Sequence, residues 1–128
     1  MTAEQQIHAL WAAFETSGPG AAFGYMDPEC EWVPSAELAE GVPLRGADAM
    51  RGYLERLSGE GVRIEPALHT CEELAEDTVL VGGRMRIVSR ASLSDSPLFW
   101  LYRIRGKRIV RIESYPSRGS ALAAAAAA

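Results

Sequence analysis

The hydrophobic pattern changes period for good at Gly61, and that switch restricts the fold more than any other feature. Before it, Ile7, Leu10, Trp11 and Phe14 stand at i, i+3, i+4 and i+7, the spacing of one face of an α-helix. After it, segments 62–73, 78–89, 96–105 and 108–115 read as strands rich in Val, Ile, Tyr and Trp. Helices first and strands afterwards is the order of an α+β domain.

Punctuation fills in the rest. Ser17-Gly18-Pro19-Gly20 stops the first helix, and a short second helix over 21–26 precedes a strand over 29–34 that ends on Pro34. Residues 35–45 read as a loop. A third helix starts at Gly46-Ala47-Asp48, with Asp48 at the positive end of its dipole and Met50, Tyr53, Leu54 and Leu57 as its buried stripe. The turns at Glu76-Asp77 and 105–108 are too short for the crossover of a parallel pair, so the second half is expected to be an antiparallel meander.

At 128 residues, against roughly 100–200 per domain, one domain spanning 1–128 is expected, with 121–128 as a helix-favouring alanine-rich tail without recognition chemistry. An apolar share of 48% with 23% charged residues excludes a disordered or collagen-like chain. The net charge of −4 repels a phosphate backbone, so no nucleic-acid partner is expected. No run approaches the roughly 18 apolar residues of a membrane helix and the first residues lack a signal-peptide pattern, so no membrane partner and a cytoplasmic location are expected. Cys30 and Cys71 have no zinc-type spacing and read as free, buried thiols; neither a metal nor a cofactor is expected.

The familiar catalytic motifs are absent: no Gly-rich phosphate loop, no Gly-x-Ser-x-Gly elbow, no His-Glu-x-x-His. Of the two histidines, His8 reads as a solvent-facing helix residue. His69 stands two residues from Cys71 on one strand, which makes them either a Cys–His pair or two core residues. Arg84 and Arg86 share one strand face, with Met85 and Ile87 on the other. If the arginine face is interior it implies an anionic or carbonyl ligand; if exterior, both are solvated charges. In 98–104 both faces are apolar, Leu98, Trp100, Tyr102 and Ile104 on one and Phe99 and Leu101 on the other, so a cover is needed on each side: helices on one, a second subunit on the other. In the last strand Val110, Ile112 and Ser114 are expected inside.

Several motifs in this order resemble the SnoaL-like family of the nuclear-transport-factor-two-like superfamily, which also holds ketosteroid isomerases and limonene epoxide hydrolases. They are Tyr25-Met26-Asp27-Pro28-Glu29 leading into Trp32, Leu44-Arg45-Gly46, Val79-Leu80-Val81-Gly82-Gly83-Arg84, and Arg105 through Tyr115 followed by Arg118 and Ala121-Leu122. The resemblance covers nearly the whole chain. It implies a cone-shaped, bent antiparallel sheet wrapped around the N-terminal helices in barrel fashion, an apolar pocket at one end, and a homodimer through the sheet, with Phe99 and Leu101 as candidates for the dimer face.

The family's catalytic groups do not carry over. The isomerases' base falls near Val33, their buried acid at Trp100, and their oxyanion tyrosine between Ala9 and Trp11, where there is none. Arg84 matches the epoxide hydrolases' arginine, but Arg86 and Ser114 stand where their acids would be. The family's frequent histidine is Trp100 and its C-terminal aspartate is Ser117. The catalytic residues are therefore unassigned.

Three functions are weighed. The first is a binding domain for a small hydrophobic or aromatic molecule, its pocket walled by Trp11, Phe14, Trp32, Trp100, Tyr102 and Ile112, with Arg84 as polar anchor and Ser114 nearby. The second is an isomerase or polyketide-cyclase type enzyme using a buried carboxylate among Asp27, Glu31 and Glu37. The third is a dimeric interaction module without ligand.

Overall fold

A computed structural model describes residues 1–34 and 43–127. Helix α1 (Ala3–Ser17) begins at Thr2, whose hydroxyl accepts from the Gln5 amide while the Gln5 side chain accepts from the Thr2 amide. This capping box satisfies donors the helix cannot satisfy itself. Ile7, Leu10 and Trp11 are buried, the stripe expected from the spacing. Gly18, at a φ of 84°, ends α1.

The second helix is shorter and earlier than expected. Pro19, pre-set for the first helical position, opens α2 (Pro19–Ala22), and a 3₁₀ turn (Phe23–Tyr25) leads into β1 (Met26–Val33). Leu44 and Arg45, expected in a loop, form the short strand β2 (Leu44–Arg45), paired antiparallel with Trp32 and Glu31. Helix α3 (Ala47–Gly59) buries Met50, Tyr53 and Leu57. Gly46 before it has a φ of 87° and donates its amide to the Cys30 carbonyl at 2.8 Å, a conformation and a close approach that both favour glycine.

Four long strands follow: β3 (Arg63–Ala75), β4 (Thr78–Val88), β5 (Leu93–Arg105) and β6 (Arg108–Tyr115). They form the expected antiparallel meander in a six-stranded sheet of order β2-β1-β6-β5-β4-β3. The α+β architecture is as expected, with two differences from the antiparallel, barrel-like sheet that the resemblance implies. β1 runs parallel to β6, because the whole chain between them serves as the crossover, and the sheet is open, with β2 and β3 at its edges. β5 begins three residues before the expected Ser96. Residues 93–98 pair with β4 alone, β6 having ended at Tyr115 opposite Phe99, and Pro97 is tolerated at such an edge.

Of the four register irregularities in the sheet, two decide which side chains face the core. β3 carries an extra residue, His69, between Leu68 opposite Gly83 and Thr70 opposite Gly82. A Cβ on Gly83 would stand 1.8 Å from the Ala67 carbonyl oxygen, and one on Gly82 would stand 2.6 Å from the Thr70 hydroxyl. The glycine pair is therefore demanded by space, and a bulge at this point bends the strands. A second bulge in β6 leaves Val110 unpaired, so Ile109 and Ile112, not Val110, point into the core.

The main core lies between the helices and one sheet face, with Ile7, Leu10, Trp11, Met50, Val81, Trp100 and Ile112 among its members. The opposite face carries the chain's own cover. The alanine-rich segment continues as helix α4 (Arg118–Ala127), which buries Ala121 against Leu80 and Leu101. Arg118 holds α4 to Glu72 at 2.8 Å, and Arg103 donates to the Ala124 carbonyl. Leu101 is wholly buried in this way, with its cover supplied by α4, while Phe99 stays half-buried. Along the same face a ladder of ion pairs links Arg45, Glu31, Arg111, Glu113 and Arg103 across β2, β1, β6 and β5. No described helix is long and apolar enough to cross a membrane.

Replacing Gly83 with Ala should destabilise the fold by about 3 kcal/mol, since the clash is with backbone that cannot rotate away. Thermal unfolding followed by circular dichroism should show a melting temperature lowered by roughly 10 °C, and an unchanged value would mean that the strands do not approach this closely.

Candidate functional site

Between α1, α2, α3 and the inner face of the sheet lies a cavity of about 110 Å³. Its wall is assembled from both halves of the chain. Leu10, Trp11 and Phe14 come from α1, Trp32 from β1, Met50 from α3, Met85 from β4, Trp100 and Tyr102 from β5, and Ile112 from β6. Each residue sits there because its element's periodicity turns it inward: one helical stripe in α1, alternate positions in β4 and β5.

Aromatic rings set the geometry. Trp11 meets Trp100 edge to face at 5.2 Å between ring centroids, and Phe14 packs against Trp11 at 6.2 Å. Trp32 meets Tyr53 at 5.8 Å. Such tilted contacts place the positive edge of one ring on the negative face of the next.

Polar groups at the cavity are few. No lining residue among those described carries a charge, and Tyr102 is the only lining residue with a titratable side chain. Burial pushes the Tyr102 phenol well above its ordinary range; the Trp11 indole N–H opposes this only in part, and the nearby Cys71 and Cys30 thiols add to the rise. Trp11 is 6% exposed, and its Nε1 acts on the nearby Tyr102 hydroxyl without completing a hydrogen bond. An unpaired buried donor is costly, on the order of 1–3 kcal/mol, and makes this atom the wall's outstanding polar feature.

Of the candidate pocket residues, Trp11, Phe14, Trp32, Trp100, Tyr102 and Ile112 line the cavity. Arg84 and Ser114 do not. Arg84 lies on the outer sheet face, exposed and paired with Asp95 at 2.9 Å, because the strand's alternation turns Met85 inward instead. Arg86 lies on that face too, 3.4 Å from Glu65. Ser114 faces Trp100 across the ladder, half-exposed beyond the cavity. Leu10, Met26, Met50 and Met85 line the wall without having been singled out; their signal was ordinary core periodicity, which does not separate cavity wall from packed interior.

The candidate acids stand apart from the cavity. Asp27 accepts the Glu29 amide at 2.9 Å, and Glu31 is shared between Arg45 and Arg111. Glu37 falls outside the described residues. Of the two readings of His69 and Cys71, a Cys–His pair or two core residues, neither holds, because His69 is the bulged residue and is exposed while Cys71 is half-buried. The Cys71 sulfur instead lies within 4.8 Å of donor atoms of Glu4 and His8 on α1. Cys30 is fully buried and packed in the main core. Burial, with smaller contributions from Asp27 and Glu31, pushes its thiol from 9.0 up to about 12.

No protein-family model and no curated protein matches the chain. Solved structures do. An NTF2-like protein from Burkholderia thailandensis E264 superposes with a TM-score of 0.79 at 23% identity, covering 95% of this chain and 98% of that one. A Catenulispora acidiphila protein with a ketosteroid isomerase-like fold, in complex with trimethylamine, gives 0.68 at 24% identity over 96% and 92%. TerC co-crystallised with polyporic acid gives 0.70 at 20% identity over 91% and 92%.

The buried thiol and phenol set an alkaline limit to stability. Both are held protonated in the folded state, so their contribution is complete below the unfolded values and fades as pH rises through the folded ones, for Cys30 from 9.0 to about 12. The melting temperature should fall across that window, and Cys30→Ala should lessen its pH slope while lowering stability at neutral pH; an equal slope in the variant would show that Cys30 is not the group responsible. With the first three helices packed on one face of a mixed six-stranded sheet and α4 on the other, and with whole-chain superposition on these structures, the chain has the NTF2-like fold, in a single α+β domain.

Proposed function

We propose that this domain binds a small, largely apolar molecule in the interior cavity, with the Trp11 indole N–H as the directing donor. The observation that carries the reading is that donor: it is buried, unpaired and part of an otherwise apolar wall. A ligand with one acceptor and one flat apolar face would satisfy it and stack within the Trp11, Trp100 and Phe14 rings. Recognition by an apolar wall with few placed polar groups is typical of small-molecule sites.

The volume restricts the ligand. At about 110 Å³ the cavity is smaller than the roughly 300–1,000 Å³ of drug-sized sites and near the roughly 150 Å³ of an apolar cavity that takes benzene. A single ring such as phenol or indole suits it; a polycyclic ligand would require the wall to open. That one solved structure of this fold is a complex with trimethylamine and another was co-crystallised with polyporic acid supports a small-molecule ligand, and makes trimethylamine a second probe.

An acid–base enzyme is less well supported, since the described carboxylates Asp27 and Glu31 have other partners and no lining residue is acidic. Phenol, indole and trimethylamine should be tested by thermal shift and Trp fluorescence. A ligand at 100 times its dissociation constant adds about 2.7 kcal/mol, which is readily seen as a raised melting temperature. Ala22→Leu, which puts a larger side chain into the wall, should abolish the shift while leaving a cooperative melt. No shift with any of the three, or an equal shift in the filled variant, would overturn the reading.

A further inference from the structure

We propose that Glu4, His8 and Cys71 form a binding site for a divalent transition-metal ion of the Zn²⁺ class, on the flank where α1 packs against β3. The site is separate from the interior cavity, and none of its three residues lines that cavity. One donor atom from each of the three lies within 4.8 Å of the other two, and the His8 Nε2 to Glu4 Oε1 distance is 3.7 Å.

The juxtaposition is built on regular elements. Glu4 and His8 stand one turn apart on α1 and so share a face. That helix is fixed by its capping box at one end and by the burial of Ile7, Leu10 and Trp11 along its length. Cys71 sits in β3 opposite Val81, half-buried against the main core. Donors carried by a seated helix and a paired strand keep their separation better than donors on loops.

The donor set selects the metal. A thiolate, an imidazole and a carboxylate together suit a borderline ion that accepts sulfur, nitrogen and oxygen, and the sulfur disfavours Mg²⁺ and Ca²⁺. Bonds of about 2.0–2.3 Å in a tetrahedron put neighbouring donors roughly 3.3–3.6 Å apart. The histidine–carboxylate separation is already close to that. Rotation of the Glu4 and His8 side chains, which are 45% and 54% exposed, closes the remaining gap to the sulfur. As the metal–sulfur bond forms, the thiol proton leaves to solvent, and water takes the fourth position.

Glu31, Glu113 and Glu72 are poorer candidates because cations already face them, the first two held by arginines in the sheet ladder and the third by Arg118. Burial, then Glu4 and Glu73, push the Cys71 thiol up to about 11, so the metal has to displace a firmly held proton.

The test uses the full reduced chain, titrated with Co²⁺ and then Zn²⁺. One equivalent of Co²⁺ should produce the near-ultraviolet band of a thiolate–cobalt bond, Zn²⁺ should erase it, and Zn²⁺ should raise the melting temperature. Cys71→Ser should remove the band, and His8→Ala should weaken binding by at least about 100-fold, the upper end of what loss of a mere supporting residue does. His69→Ala should leave binding unchanged. Should Cys71→Ser fail to fold, His8→Ala and Glu4→Gln, both on the exposed side of α1, carry the same test. A folded protein with no thiolate band, a band that survives Cys71→Ser, or a loss that follows His69 rather than His8 would overturn the assignment.

Discussion

The edge-to-face contact of Trp11 with Trp100 joins the two halves of the molecule, and the interior is arranged around it. Trp11 projects from the first helix; Trp100 stands in β5, with β4 on one side and β6 on the other. The pair adds about 0.5–1.5 kcal/mol beyond the area it buries, but its larger effect is positional. It fixes the tilt of α1 against the sheet, sets Phe14 beside the same aromatic pair, and leaves the indole N–H of Trp11 without a completed hydrogen bond. A helix seated by smaller side chains would approach the sheet more closely and leave less room.

Much of the architecture was legible because it depends on local periodicity. The α1 stripe, the third helix, and the meander from β3 to β6 follow from apolar spacing and short turns, and those signals act over a few residues. What was not legible depends on contacts between distant segments. Nothing in 26–33 announces that β1 will lie parallel to β6, since that choice is made by strands some eighty residues apart. Bulges at His69 and Val110 shift alternation by one residue, which is enough to move Ile109 inward and His69 outward.

The candidate site shows the same division. The aromatic wall could be named from the sequence, since large rings at inward positions of successive elements must meet. Arg84 could not be placed, because a single register step decides between wall and solvent, and the strand resolves it outward onto Asp95. Leu101 was correctly read as needing a cover, but the alanine run that supplies it has no pattern of its own beyond helix propensity. The grouping of Glu4 and His8 with Cys71 reaches across more than sixty residues and leaves no spacing signature at all.

The ladder of ion pairs on the outer sheet face has a consequence for how this protein can vary. Arg45, Glu31, Arg111, Glu113 and Arg103 tie four strands together from the side away from the cavity. The wall, by contrast, takes one or two side chains from each of several elements. Strand alignment and cavity shape are thus encoded by alternate residues of the same strands. Within the limits of core volume, inward positions can be exchanged for others of different shape while the outward ones keep the sheet in register, so one scaffold can pass through a succession of ligands without passing through an unfolded ancestor.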